Sequence, residues 1–198
     1  MILGIIGEAG VGKSTAANFF EHQGAYVISA DLIVKYLYKQ PATTDKIVTK
    51  LGEKFLNNDD ALNRLALRKY AFENYEILKK LEAIIWPEME QIIRDEIDKH
   101  SDQKLIVMDC AVLFNAQLDG LVDQVLLIKS DENLKINRIK HRDDVSDAES
   151  KTLLNLQKKH LVLDQGVDFV IKNNGSTEEF VAELQELLTK LLPKSEKS

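Results

Sequence analysis

The sequence predicts an α/β fold of the three-layer α/β/α kind, built on a parallel sheet of five strands. Five short apolar runs recur along the chain, and the stretches between them are polar with helical patterning. Strands that alternate with helices are joined by crossovers, which makes the sheet parallel and covers both of its faces. The runs also lead into polar residues: Asp31, Asp109, Ser130 and Asn173 fall at or just beyond the predicted carboxyl ends. In sheets of this kind ligands bind at those ends, so these side chains are expected near one site.

The elements follow in order. "MILGIIG" at the start is continuously apolar and closed by glycine, a buried strand. Ala16, Ala17, Phe19 and Phe20 then lie at helical spacing. "AYVISAD" (25–31), "KLIVMDC" (104–110), "QVLLIKS" (124–130) and "DFVIKNNG" (168–175) are the remaining strands, the last stopped by a turn signal. Residues 32–100 form a long, charged, amphipathic stretch with few breakers besides Pro41, Gly52 and Pro87, and read as helical. Residues 131–165 are strongly polar. A last helix opens with a capping box, Ser176 with Glu179, and closes at Pro193.

With 198 residues, one sizeable core is expected rather than two full domains. The net charge of −6 argues against general nucleic-acid binding, which needs a basic face. A single cysteine, Cys110, excludes an intrachain disulfide and reads as a buried, reduced thiol. The apolar start lacks a basic leader and is broken by Glu8, so it does not read as a signal peptide. No apolar run approaches the roughly 20 residues that span a bilayer. The expected compartment is the cytoplasm, with no membrane partner.

Gly7 to Ser14, "GEAGVGKS", fits G-x-x-x-x-G-K-[ST] between a predicted strand and a predicted helix. Glycines there let successive N–H groups turn inward onto phosphate, and the helix start adds partial positive charge. A chance match in a chain of this length is on the order of one in a hundred. The fold expected is therefore of the P-loop NTPase type. Glu8, Ala9, Gly10, Val11, Gly12, Lys13, Ser14 and Thr15 are expected to bind ATP. Lys13 reaches the β- and γ-phosphates, and the Ser14 hydroxyl ligates Mg²⁺. The loop alone leaves the chemistry open. N-K-x-D, which reads guanine, is absent, as is the Gly-Gly pair expected of a shikimate kinase. An adenylate-kinase-like loop has Gly-Thr after the lysine, where this chain has Ser14-Thr15.

Three groups beyond the loop carry alternatives. Asp31 is read either as the carboxylate that accepts a proton from an attacking hydroxyl or as a helix N-cap. Asp109 ends "LIVMD", a pattern whose carboxylate holds the metal, or it is a buried group bonded to loop N–H donors. Arg138 and Arg142 share a helical face at i, i+4. They form the arms of a lid over transferring phosphate, or a solvated charge run paired with Asp143 and Asp144. The four histidines show no metal-ligand spacing.

Taken together, these stretches resemble the dephospho-CoA kinases, the enzymes of the last step of coenzyme A synthesis. After the phosphate loop, "ISADLIVKYLY" resembles the family's D-A-D segment, with Asp31 at the second aspartate. "ALNRLALRKYAFEN" resembles D-R-x-x-L-x-x-x-x-F, with Arg64 at the arginine. "LEAIIWPEM" stands at L-x-x-I-x-H-P and "VMDCAVLFN" at D-x-P-L-L-F-E. "RIKHRDDVSDAE", Gln157 and "DFVIKNNGS" complete the order.

The resemblance implies a single P-loop kinase domain over 1–198, with a helical substrate-binding insert (32–100) and a lid (138–165). It implies transfer of the γ-phosphate of ATP, with Mg²⁺, to the ribose 3′-hydroxyl of dephospho-CoA. Lys13, Asp31, Arg138 and Arg142 would be catalytic. Asp31, Arg64, Trp86 and Phe114 would bind the acceptor, Ser14 and Asp109 the metal, and Asn173 would lie near the adenine. Four positions differ from the family pattern: Ser29, Trp86, Ala111 and Asn115. Trp86 can also be plain core, the reading favoured by Ile84 and Ile85 beside it. Two other readings are a related kinase acting on another nucleoside or sugar hydroxyl, and a nucleotide-binding module without catalysis.

Overall fold

A computed structural model describes residues 1–57, 62–63, 66–67, 70–71 and 74–192. Arg64 and Pro193 lie outside the described residues. The chain divides into two compact units, one of 1–28 with 100–198 and one of 29–99.

The first unit is built on β1 (Ile2–Ile6), β2 (Tyr26–Ser29), β3 (Ile106–Asp109), β4 (Gln124–Lys129) and β5 (Phe169–Lys172). They form one sheet in the order β2-β3-β1-β4-β5. β1 pairs in parallel with β3 on one side and β4 on the other, and β4 pairs in parallel with β5. All five expected strands are present, and the α/β class is as predicted.

β1 is central because it is apolar throughout: Leu3, Ile5 and Ile6 are fully buried. Leu3 and Ile5 point to one face, as alternation requires. There they meet α1 (Lys13–His22) through Ala16 and Phe20, and α7 (Thr177–Leu191) through Phe180, Leu184, Leu187 and Leu191. The capping box that starts α7 is formed as expected, Ser176 with Glu179. On the other face, Gly4 lies against Leu113 and Val122 of the segment after β3. Cys110 is buried, as its composition suggested.

α5 (Glu132–Asp143) and α6 (Asp147–His160) follow β4. They enclose a small core of their own, in which Ile136, Ile139 and Leu154 pack on Ala9 of the phosphate loop. Lys158 hydrogen-bonds Glu132 and joins the two helices. That bond and the ammonium charge hold the Glu132 carboxyl below the ordinary glutamate range. A depressed carboxylate stabilises above its unfolded value, so this tie is lost as pH falls into the acid range.

The second unit contains α2 (Ala30–Leu37), α3 (Pro41–Leu51) and α4 (Tyr75–Lys99). Pro41 occupies the first turn of α3, where its missing N–H costs nothing. α4 buries Leu81, Ile84, Ile85, Met89 and Ile93 along one stripe. α3 is tied to α4 by Thr43 and Lys46, which bind the two oxygens of Glu88 at 2.7 and 2.6 Å.

Phe20 is fully buried between α1 and the sheet, directly behind the phosphate loop. Phe20→Ala should destabilise the protein by about 3–5 kcal/mol, the usual cost of removing a core aromatic. Chemical denaturation checks this, and a loss under 1 kcal/mol would mean the α1 face is not packed as described.

Candidate active site

The loop after β1 runs from Gly7 to Gly12 and ends at the start of α1. Gly12 takes the left-handed φ of +103°, and no side chain caps the helix. A helix start without a side-chain cap is of the kind that anions bind. Gly10 also has a positive φ, +78°, and a Cβ there would meet the Lys135 carbonyl oxygen at 2.7 Å. The loop thus lies flat against α5, and only glycine permits the approach.

A cleft of about 340 Å³ opens over this loop. Gly10, Gly12, Lys13, Ser14 and Thr15 line it from below, and Arg138, Arg142 and Asn173 from the side. Lys13 lies across the loop, its ammonium 3.2 Å from the Glu8 carbonyl. Ser14 and Thr15 are exposed in the first turn of α1. Glu8, Ala9 and Val11 do not line the cleft. Ala9 and Val11 are buried beneath the loop, and Glu8 is held by an ion pair with the buried Lys135. Their side chains are supports; what they can offer a ligand is backbone.

The two arginines expected to act together have different surroundings. Arg138 is half-buried, and its Nη1 donates to the Gly10 carbonyl (3.2 Å) and the Ser130 hydroxyl (2.9 Å). Its Nη2 reaches the backbone and side-chain oxygens of Asn173, both at 3.2 Å. Arg142 is exposed at the rim and forks onto Asp143 at 2.7 and 2.8 Å. The charge-run reading holds in part for Arg142 and not for Arg138, whose fork is turned onto the phosphate loop.

Asp109 ends β3 half-buried, in register with Ile5 two residues before the loop. Among the described residues no group of three or more acidic, histidine or cysteine side chains could hold a metal. A hydroxyl from Ser14 and a carboxylate from Asp109 are nonetheless the hard oxygen donors that Mg²⁺ takes, because it keeps several waters and takes few protein ligands.

Asp31 is exposed in the first turn of α2. It is not the helix cap: Ser29 is, its hydroxyl accepting from the Leu32 N–H at 3.4 Å. Trp86 is half-buried on α4 rather than in the core, with the Lys79 ammonium 5.8 Å from its ring centre. Phe114 is half-buried beside Gly166.

Three residues stand out: Lys135, which the sequence did not single out, and Gln157 and Asn115, which it singled out only by comparison with the family pattern. Lys135 neutralises Glu8, and its spacing three before Arg138 places it on the same helical face. Gln157 accepts the Ala9 N–H at 2.7 Å and so links α6 to the loop. Asn115 donates to the His160 carbonyl (2.6 Å) and accepts from the Val162 N–H (3.0 Å), fastening the end of α6. An ionised glutamate could not do both, since it only accepts.

The family model for dephospho-CoA kinases matches residues 1–179. The chain belongs to the dephospho-CoA kinase family. A dephospho-CoA kinase of Lactobacillus acidophilus is 32% identical over 193 residues, 96% of each chain. Among solved structures, TT1252 from Thermus thermophilus has a TM-score of 0.78 at 24% identity, covering 96% of this chain and 97% of its own. The dephospho-CoA kinase from Campylobacter jejuni has a TM-score of 0.65, also at 24% identity, covering 96% of both chains. These two likenesses establish the shared fold, and the family match accounts for nearly the whole chain.

Gly10→Ala should weaken ATP binding roughly tenfold, since a left-handed φ alone costs a non-glycine residue about 1–2 kcal/mol. Calorimetric titration with ATP tests this. Unchanged affinity would mean the close approach to α5 does not shape the loop.

Proposed function

We propose that this chain transfers the γ-phosphoryl group of ATP to the ribose 3′-hydroxyl of dephospho-CoA, giving coenzyme A and ADP. The observation that carries this is an uncapped helix start and a lysine under one cleft, in a chain whose family match is dephospho-CoA kinase.

The residues divide the work as follows. Backbone N–H groups of the loop and Lys13 hold the β- and γ-phosphates, where negative charge develops. Ser14 and Asp109 would hold Mg²⁺, which would screen the charge of the phosphates. The 3′-oxygen attacks the γ-phosphorus, and the bond to the β–γ bridging oxygen breaks, its electron pair leaving with ADP. The hydroxyl proton passes to the Asp31 carboxylate. Arg142, which lines the cleft, would meet phosphate oxygens, exchanging Asp143 for the ligand. Residues 138–165 serve as the lid and 32–100 as the acceptor-binding region, in which Arg64 and Trp86 contact dephospho-CoA; Phe114 does so from the segment after β3. The protein acts in the cytoplasm.

Incubation with ATP, Mg²⁺ and dephospho-CoA should yield coenzyme A and ADP in equal amounts by mass spectrometry. Acceptor-independent ATP hydrolysis, or no product, would overturn the reading.

Asp31→Asn should lower turnover by roughly 10²–10⁴-fold, the scale of a positioned acid–base group, with ATP affinity retained. Because Ser29 provides the helix cap, the melting temperature should hardly move. Full activity in the folded variant would remove Asp31 from the mechanism.

A further inference from the structure

A loop that binds anions through its N–H groups turns its carbonyls the other way. Carbonyls facing into the protein need donors of their own. Lys13 supplies one to Glu8 at 3.2 Å, and the Ala16 N–H one to Gly12 at 3.0 Å. Both come from α1 itself. Two carbonyls between them are served from elsewhere: Gly10 by Arg138 Nη1 at 3.2 Å, and Val11 by Asn173 Nδ2 at 2.8 Å.

We propose that Asn173 is a positioning residue for phosphoryl transfer: its amide, braced by Arg138, fixes the Val11–Gly12 peptide so that the loop N–H groups face the triphosphate. The inference rests on the reading of the cleft as an ATP site, and it gives Asn173, expected near the adenine, a role in holding the loop.

Asn173 is 7% exposed, and both ends of its amide are engaged by protein. Nδ2 holds Val11, and Oδ1 accepts Arg138 Nη2 at 3.2 Å. Its backbone is pinned as well. The N–H donates to the Lys129 carbonyl at 2.8 Å, and the carbonyl accepts from both the Ser130 hydroxyl and Arg138. One N–H of the side-chain amide and one lone pair of its oxygen are thus committed to the protein. Its position also bears on Gly12, because a Cβ there would lie 2.4 Å from Nδ2. The amide fills the space a side chain would take, so the loop glycine and Asn173 fit as a pair. Leaving the Val11 carbonyl without its donor would let this peptide turn, and the N–H groups on either side would lose their common aim.

The test compares Asn173→Ala with wild type for affinity toward magnesium ATP and magnesium tripolyphosphate, which lacks a base. It also records the amide resonances of Gly10 to Ser14 without ligand. Both ligands should lose affinity by the same factor, roughly tenfold, and the loop resonances should shift before any ligand is added. A loss for ATP alone would show that Asn173 reads the base. Equal losses with unmoved loop resonances would show a direct phosphate contact instead. Unchanged affinities in a folded variant would reduce Asn173 to packing. If Asn173→Ala does not fold, Asn173→Asp keeps the shape and the Arg138 partner while removing the donor, and is judged by the same comparison. Wild-type protein that bound neither ligand would overturn the ATP reading itself.

Discussion

A cradle of N–H groups can be built only if the opposite faces of the same peptides are satisfied. Much of the first unit can be understood from this constraint. β4 and β5 are followed directly by Ser130 and Asn173, which meet each other and Arg138 beside the phosphate loop. α5 lies flat on the loop because Gly10 admits its backbone, and that proximity brings Arg138 within reach of the Gly10 carbonyl. α6 adds Gln157 to the Ala9 N–H, and Asn115 anchors the end of α6. The loop is therefore held by side chains from β4, β5, α5 and α6, not by glycines alone. Preorganised donors of this kind need not reorder when charge develops on the transferring phosphate.

Charge follows the same logic. Glu8 would place a carboxylate beside a binding site for anions. Lys135, buried on α5, pairs with it and removes that conflict, while fixing the near end of the loop. Breaking such a buried pair from one side leaves an uncompensated charge, which makes it a demanding contact as well as a useful one.

The sheet and the phosphate loop were legible in the sequence because both have local signatures. Apolar runs at regular intervals mark strands, and the motif places Lys13 and Ser14 by spacing alone. Arg138 and Arg142 illustrate where such reading stops. Spacing put them on one face, but only tertiary structure distinguishes a guanidinium engaged with Gly10 from one paired with Asp143 at the rim. Asp31 and Ser29 show a second limit: either could cap α2, and the strand ended two residues earlier than its apolar pattern suggested, giving the cap to Ser29. Asn173 and Gln157 act on backbone more than 140 positions away in the chain, and no local pattern encodes such a partner.

A phosphate loop braced in this way is formed before nucleotide arrives. Backbone ¹⁵N relaxation of Gly10 to Ser14 in the ligand-free protein measures this directly. Order parameters near those of a rigid backbone, about 0.85, are expected. Values below about 0.6 that rise only when nucleotide is added would contradict it.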